Sequence, residues 1–337
     1  MKIRSNGKKA AAPGSASQRR LKCRLAAAVL LLAISAALMA LAAKQPGFAE
    51  WYSENVYSLF VNSLGRLWGL FPFSVSEMAL YILAAVFLLS LAAAVRKGIH
   101  GAVPWLSCIL LAAGILAFLY TICCGINYHR KSFSEEEGII TYRYTAQDLK
   151  EVCLWLTEEV NTISGEVDRD SSGVMTLEAP EGEGAVEAMY ALAENFPALE
   201  GYYPQPKKLL LSEILSYQGL TGIYSPFTVE ANFIAFLACI ESERTDFRYS
   251  GYLSGWVYCM NALYRTDHEA WQEVRQLLEG EVEPDLEANS TFWDAYEGRI
   301  SETADKINDT YLKANGQADG VQSYSRMVDL IVAYFEK

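Results

Sequence analysis

Three long uncharged runs near the N-terminus constrain the fold of this 337-residue chain more than any other feature. They span about residues 25–43, 76–95 and 103–124. Each has the length that a helix needs to cross a hydrocarbon core of roughly 30 Å. The sequence therefore predicts a membrane domain over residues 25–124, after a basic tail at residues 1–24 and before a third domain at residues 125–337.

The first run has a second interpretation, because Ala40-Leu41-Ala42 fits the small-x-small pattern of a signal-peptide cleavage site. The apolar region of a signal peptide is usually about 7–15 residues long. The run over residues 25–43 is longer than that. An uncleaved anchor is therefore the preferred interpretation.

Basic residues predict the orientation of the spans. The tail at residues 1–24 contains Lys and Arg but no acid, and Arg96-Lys97 lies in the short loop between the second and third runs. Cytoplasmic loops of membrane proteins are enriched in Lys and Arg, so both segments are predicted to be cytoplasmic. The C-terminal domain at residues 125–337 is then extracytoplasmic.

The segment at residues 50–73 is different, because apolar and aromatic residues recur in it at helical spacing among polar ones. As an amphipathic helix in the membrane interface, it would hold its Trp and Tyr rings at headgroup depth. Packing on the exterior domain is an equally good interpretation. The residues of this pattern are Trp51, Tyr52, Val56, Phe60, Leu64, Leu67, Trp68 and Phe71.

Charge separates the two halves of the chain. Residues 1–124 contain 12 Lys and Arg against three acids, whereas residues 125–337 contain 16 against 37. An exterior this acidic argues against nucleic acid or anionic lipid as its partner. The predicted partner is the lipid bilayer, bound by the membrane domain. A peptide or an envelope protein stays open as a partner of the exterior domain, and so does the oligomeric state.

The exterior domain is predicted to be mainly helical. In the first helix, Thr145 is an expected N-cap and Asp148 takes the third helical position. The segment Lys207–Leu215 is a strand or a short helix, since periodicity cannot decide for so short a run. Helices are predicted over residues 145–163, 184–196, 233–239, 252–264, 271–279, 292–314 and 321–335, with breaks at Pro197, Gly280, Pro284 and Gly316.

Two features have a structural and a functional interpretation. Asp168–Gly173 imitates the first half of a calcium loop, but an EF-hand needs a Glu at position twelve, where this chain has Ala179 with Glu178 one residue early. A polar turn is the preferred interpretation. The exterior cysteines are Cys153, Cys239 and Cys259. Because their number is odd and their spacing is not CxxC, burial is preferred to a disulfide framework, although one pair could form.

Several motifs together resemble the DUF3810 family of bacterial membrane proteins. The resemblance covers nearly the whole chain and implies a location in the bacterial plasma membrane, with a mainly helical exterior domain that is zincin-like and contains a minor β part. The residues on which it rests are Asn127–Arg130, Leu210–Asn232, Glu230–Cys239, Phe247–Leu253, Asn261–Tyr264 and Asn308–Tyr324.

The resemblance implies zinc in intact family members. They place a helix with His-Glu-x-x-His between a Pro-Phe-Thr-x-Glu-Ala-Asn motif and a downstream Glu-Asp-Glu-Ala-Asn-Phe motif. Two His at i and i+4 share a helix face and can bind zinc, while the Glu between them can act as general base on a zinc-bound water. A downstream acid completes such a site.

This chain departs from that pattern between Asn232 and Phe233. Its Pro226–Asn232 runs directly into Phe233–Cys239, as though two Glu-Ala-Asn copies had fused and the HExxH segment between them had been lost. The acid that would align with a third zinc ligand falls at Thr228. Glu230 belongs equally to either copy. We therefore assign no catalytic, cofactor-binding or metal-binding residue, and expect no zinc in the chain as given.

The three histidines do not rebuild the site by spacing. His100 is predicted to be cytoplasmic and His129 lies at the membrane exit. His268-Glu-Ala-Trp-Gln272 resembles a damaged HExxH motif, but Gln at i+4 is a poor zinc ligand, and the start of a solvated helix is the preferred interpretation. The Ser, Lys and Cys residues show no recognisable nucleophile arrangement.

The sequence is compatible with two functions. The chain is either a catalytically inactive binding or scaffold module, or a deleted allele or gene-model fragment of an active membrane-anchored zinc metallopeptidase. In both cases, loss of a strand and a central helix would expose apolar surface on the helix that begins at Phe233 and leave a sheet edge unpaired. Lower stability than that of an intact relative is therefore expected.

Overall fold

The computed structural model describes residues 13–178, 181–199, 230–294, 306, 309–310, 313–314 and 326–336. These residues are mainly helical, as predicted, and an isolated β-bridge pairs Arg169 with Met175. The predicted extended segment Lys207–Leu215 lies outside them. The chain divides into two compact units, residues 1–53 with 76–129, and residues 54–75 with 130–337.

Three helices are long and apolar enough to span a membrane, which confirms the three predicted runs by length and composition. They are α1 (Pro13–Lys44), α3 (Val75–Arg96) and α4 (Ile99–Tyr120). The last continues through a π-helical turn and then a 3-10 turn to His129. The first begins at Pro13, so the second half of the basic tail and the apolar run share one helix.

Close backbone approach joins the helices of this first unit. A Cβ on Gly114 of α4 would lie 3.2 Å from the carbonyl oxygen of Ala28 in α1. Small residues permit such contacts between membrane helices. The indole nitrogen of Trp105 in α4 donates to Ser90 Oγ in α3 at 3.0 Å.

The segment predicted over residues 50–73 forms a helix, α2, at residues 48–69. It follows Gly47, whose φ of 78° lies in the left-handed region that favours glycine. Two π-helical turns, Ser53–Tyr57 and Val61–Gly65, widen it. The helix therefore begins and ends slightly earlier than its apolar pattern predicted.

The second unit holds the core of the C-terminal domain. Its principal helix, α6 (Ala146–Ser164), begins with the predicted cap: Thr145 accepts from the backbone of Asp148, and the Asp148 carboxylate accepts from the backbone of Thr145. The other described helices are α5 (Phe133–Glu136), α7 (Glu181–Asn195), α8 (Ala231–Ile240), α9 (Thr245–Thr266), α10 (His268–Arg275), α11 (Glu283–Asp294) and α12 (Arg326–Phe335).

Two glycines allow α9 to pack closely against its neighbours. A Cβ on Gly251 would lie 2.5 Å from Cys239 Cβ in α8, and a Cβ on Gly255 would lie 2.7 Å from the Phe236 ring. One residue further along α9, the buried Trp256 donates from its indole nitrogen to Thr157 of α6 at 2.9 Å. These contacts hold α6, α8 and α9 together at the centre of the core.

Some predicted boundaries are wrong. Pro284 does not separate two helices but lies in the first turn of α11, where proline is tolerated because its missing N–H would be unpaired anyway. The predicted start of a helix at Phe292 therefore falls inside α11. The helix predicted over residues 252–264 begins earlier, at Thr245.

The expected exposure of the helix after the junction is also wrong. In α8, Phe233 and Leu237 are fully buried, and Phe236 is nearly so. Their partners come from helices on both sides in sequence, including Phe133 and Tyr334. An apolar face that its own domain covers gives no reason to expect instability.

Candidate functional site

The junction that distinguishes this chain lies at Glu230, immediately before α8. Its carboxylate is buried, with 4% of the residue exposed. Oε2 accepts from the backbone nitrogen of Ser134 at 2.8 Å, and Oε1 accepts from Ser134 Oγ at 2.6 Å. The Glu230 carbonyl accepts from the backbone of Ile234 at 2.9 Å, so the same residue opens α8.

The partner of Glu230 is held by a local motif of its own. Ser132 and Glu135 form a capping box around the short helix α5, in which each side chain accepts from the backbone of the other. Ser132 Oγ and Ser134 Oγ lie 3.1 Å apart. Ser134 therefore presents its N–H and O–H from a fixed turn, and Glu230 ties that turn to the start of α8.

Aromatic rings pack beside this contact. Phe233, one turn into α8, lies 6.4 Å from Phe133 and 6.3 Å from Tyr334 between ring centroids. Phe133 also lies 5.4 Å from Phe196, after α7. Segments from four parts of the chain therefore meet around the junction.

A second buried network joins Arg169, Tyr249 and Asp285. Arg169 donates to Asp285 Oδ2 at 2.7 Å and to the carbonyl of Gly173 at 2.8 Å. The Tyr249 hydroxyl donates to the same Asp285 oxygen at 2.5 Å, and the backbone nitrogen of Met175 donates to the other at 2.7 Å. Burial and the hydrogen bond to Asp285 raise the pKa of Tyr249.

The Asp168–Gly173 segment forms a polar turn, as the sequence predicted. The carboxylate of Asp170 accepts from the nitrogens of Ser172 and Val174, and Gly173 has a φ of 85°. Hydrogen bonds lower the pKa of Asp170, and the one from the Ser172 side chain has the largest effect. Position twelve of the imagined calcium loop, Ala179, lies outside the described residues.

A third cluster lies at the start of α9. Asp246, 1% exposed, accepts from Arg244 Nη2 at 2.6 Å, from the backbone of Glu178 at 2.9 Å and from that of Phe247 at 2.9 Å. Burial alone would raise the pKa of Asp246, but these donors, Arg244 foremost, hold it below its usual range. The carboxylate thus fastens the loop before α7 to α9.

Among the described side chains, His129 and His268 belong to no metal-binding group. His268 starts α10 after Asp267, the N-cap, as predicted. Its Nε2 lies 3.2 Å from Gln272 Nε2, and its ring packs between Tyr264 and Trp271. His129 ends the third candidate span, and His100 is the second residue of α4.

In the part of the chain that is described, no three His, Cys, Asp or Glu side chains lie together as a metal-binding group. Thr228, aligned with the missing third ligand, lies outside that part. The absence of bound zinc therefore stays a prediction.

The three thiols of the C-terminal domain are buried or half-buried, as predicted. Cys153 and Cys259 are buried, Cys239 is half-buried, and all three are free. Burial raises the pKa of Cys153 to about 12 and, with Asp246 nearby, that of Cys239 to about 11. Thiols held protonated in this way are poor nucleophiles.

Sequence reasoning missed Ser134, Asp246, and the pairing of Arg169 with Asp285. Ser134 lies 96 residues from Glu230, and Arg169 lies 116 from Asp285. No local pattern connects such pairs. The one available signal was Ser132-Phe-Ser-Glu135, a capping-box pattern that predicts the turn but not its buried partner.

Comparison with protein families identifies the family of the chain. The sequence model of DUF3810, described as a protein of unknown function, matches it in two stretches, residues 52–232 and 229–332. The chain belongs to the DUF3810 family. The two stretches overlap at residues 229–232, the Val-Glu-Ala-Asn that contains Glu230. No similar curated protein and no similar solved structure was found.

Proposed function

We propose that this DUF3810 protein is an integral protein of the bacterial cell membrane whose exterior domain derives from a zinc metallopeptidase-like domain and no longer catalyses. Its role is that of a membrane-tethered binding or scaffold module. The partner of the exterior domain would be a peptide or another envelope protein, since the acidic surface of residues 125–337 disfavours nucleic acid.

The observation behind this proposal is the double match at residues 229–232. One short stretch serves as the end of the first family match and as the start of the second. That is the pattern expected if two separate Glu-Ala-Asn copies have become one and the segment between them has been lost. The sequence also contains no His-Glu-x-x-His at any position.

The described side chains near the junction do not fit a zinc site. Both oxygens of Glu230 accept from Ser134, and His268 is paired with Gln272 in a separate helix. A zinc site needs three protein ligands that converge on one point. Because Glu230 is engaged in a structural contact, we derive no catalytic step through a metal.

A second candidate has support from the same overlap. Recombination between two short repeats leaves a single copy at the edge of the deletion, so the chain could be a deleted allele or a flawed gene model of an active membrane-anchored metallopeptidase. The buried packing of α8 supports the first candidate, since a truncated core would leave that helix exposed.

The test is the zinc content of two purified full-length proteins, the chain as given and a variant with a family member's HExxH segment inserted after Asn232. We expect zinc only in the restored variant. Near-stoichiometric zinc in the chain as given would contradict the loss of the site and redirect attention to His129, His268 and Glu230. Zinc in neither protein would contradict the metallopeptidase ancestry.

Thermal unfolding of the same two proteins separates the two candidates. A cooperative transition in the chain as given is expected for a functional module. A chain that shows no cooperative transition, while the restored variant does, would identify it as a fragment of an enzyme.

A further inference from the structure

Four apolar side chains at the end of α2 form a row that is only partly covered by the rest of the protein. Leu64, Leu67, Trp68 and Phe71, here called the apolar stripe, follow the i, i+3, i+4, i+7 spacing of one helix face at and just beyond the end of α2. Each is between 40% and 49% exposed. The rings of Trp68 and Phe71 lie 6.4 Å apart, so the stripe is continuous at that end.

The opposite face of the helix carries several polar side chains, and these are satisfied within the helix. Arg66 donates to Asn62 Oδ1 at 3.0 Å, and Asn62 donates to the carbonyl of Ser58 at 3.0 Å. Ser63 Oγ donates to the carbonyl of Leu59. Two leucines also lie on this side, Leu59 at 66% and Leu70 at 79% exposed. The aromatic rings, however, lie on the apolar stripe, which water would solvate poorly.

Chain connectivity suggests what covers the apolar stripe. The first candidate span ends at Lys44 and the second begins at Val75. If both cross the bilayer, the connection between them leaves and re-enters the membrane at the same face. At about 1.5 Å per residue, a helix over residues 48–69 is roughly 33 Å long and is held near that face at both ends.

Composition suggests the depth at which the helix lies. Residues 45–74 contain two acids, Glu50 and Glu54, and one base, Arg66. This near-neutral balance gives little electrostatic attraction to anionic lipids. Trp and Phe side chains are those that settle at the boundary between headgroups and acyl chains, where an apolar helix face is buried by about 5–10 Å.

We propose that the apolar stripe of α2 is a lipid-binding surface that holds this helix in the plane of the membrane interface. The attraction comes from apolar burial, so binding does not require anionic lipid. The assignment rests on the membrane spans and is independent of the fate of the zinc segment.

The test places a nitroxide label on single introduced cysteines in the full chain, reconstituted in phosphatidylcholine vesicles. The exposed thiols Cys23, Cys108 and Cys123 are first replaced by Ala, and this parent protein gives the background of the other four. The labelled variants are Leu67→Cys and Trp68→Cys on the apolar stripe, with Ser63→Cys and Arg66→Cys as matched controls on the polar face.

Collision with oxygen reports lipid and collision with a water-soluble nickel chelate reports solvent. We expect the oxygen-to-nickel ratio to be severalfold higher at residues 67 and 68 than at residues 63 and 66, and to be unchanged when half of the lipid is phosphatidylglycerol. Equal ratios on the two faces would overturn the proposal, because the stripe would then not be the side that selects lipid.

Shielding of residues 67 and 68 from both probes would also overturn it, since protein would then cover the stripe. A ratio that rises only with phosphatidylglycerol would contradict apolar burial as the source of binding. Circular dichroism of each labelled variant checks the fold. If Leu67→Cys or Trp68→Cys loses helix, Leu64→Cys or Phe71→Cys provides the same comparison.

Discussion

At the scale of single residues, Glu230 has a role that its motif did not reveal. It belongs to the Glu-Ala-Asn sequence shared by both family matches, yet its carboxylate serves to tie the Ser134 turn to the start of α8. A buried carboxylate that accepts two hydrogen bonds is costly to disturb, because loss of an acceptor leaves donors unsatisfied.

Replacing Glu230 by Gln tests this role. The amide has one acceptor oxygen in place of two, so one donor of Ser134 loses its partner. We expect the free energy of unfolding to fall by about 1–3 kcal/mol, the range for a buried group left unsatisfied. Urea unfolding of the full chain in detergent, followed by tryptophan fluorescence, measures the change.

The matched control is Glu243→Gln, because Glu243 is exposed in the loop after α8. Its effect should stay within about 0.5 kcal/mol, as for most surface changes. Ser134→Ala removes the hydroxyl that Glu230 Oε1 accepts from but keeps the backbone N–H, so its effect and that of Glu230→Gln should be less than additive in the double variant. Equal effects of the Glu230 and Glu243 changes would refute the structural role.

Asp246 makes stability depend on acid pH. Its folded pKa lies below the value of about 3.9 that Asp has in an unfolded chain. The stability that it contributes is therefore present above that unfolded value and is lost as pH falls through the folded pKa, because the unfolded state then binds more protons.

We expect Asp246→Asn to lower the free energy of unfolding at neutral pH and to flatten its decline below about pH 4. Asp294→Asn, an exposed acid at the end of α11, is the control and should leave the pH dependence unchanged. Chemical unfolding at a series of pH values provides the measurement. If the free energy of unfolding of Asp246→Asn declines below pH 4 as steeply as that of the unaltered chain, other groups cause the loss of stability in acid.

At the scale of helices, α9 shows that glycine can be the residue that a helix interface needs. Ala has the higher helix propensity, by roughly 1 kcal/mol. At Gly255, however, a methyl group would lie 2.7 Å from the ring of the buried Phe236 and 3.5 Å from Leu156. Close contact between α9 and α8 thus outweighs propensity at this position.

Gly255→Ala is therefore expected to destabilise the domain by about 1–3 kcal/mol, as overpacking does in other cores. Gly280→Ala is the control, because nothing lies within 4 Å of a Cβ at that position and its backbone is not left-handed. Thermal unfolding of the two variants provides the comparison. A stabilised Gly255→Ala would mean that α8 yields easily and that propensity decides.

At the scale of the whole molecule, the basic residues near the spans predict the topology. The basic tail and Arg96-Lys97 favour the cytoplasm, which leaves the C-terminal domain outside. Alkaline phosphatase folds only outside the cytoplasm, so its fusion after Lys337 should be active in cells. A fusion after Lys97 should be inactive, whereas green fluorescent protein there should fluoresce. The opposite pattern would reverse the orientation.

The expected loss of stability also belongs to this scale. It rested on an exposed α8 and an unpaired sheet edge. The exposure of α8 is no longer a reason, because Phe233, Phe236 and Leu237 are buried. The second concerns an extended segment outside the described residues. Comparison with the restored variant therefore remains the measurement that decides whether the chain is weakened.

The sequence by itself determined the three candidate spans, the cap of α6 at Thr145 and the start of α10 after Asp267, because run length and capping chemistry are local properties. Only the tertiary structure decided that α8 is covered, that Glu230 binds Ser134, and that Arg169 and Tyr249 share Asp285. These contacts join residues dozens to more than a hundred positions apart. Burial depends on the partner that packing supplies, and no local pattern specifies that partner.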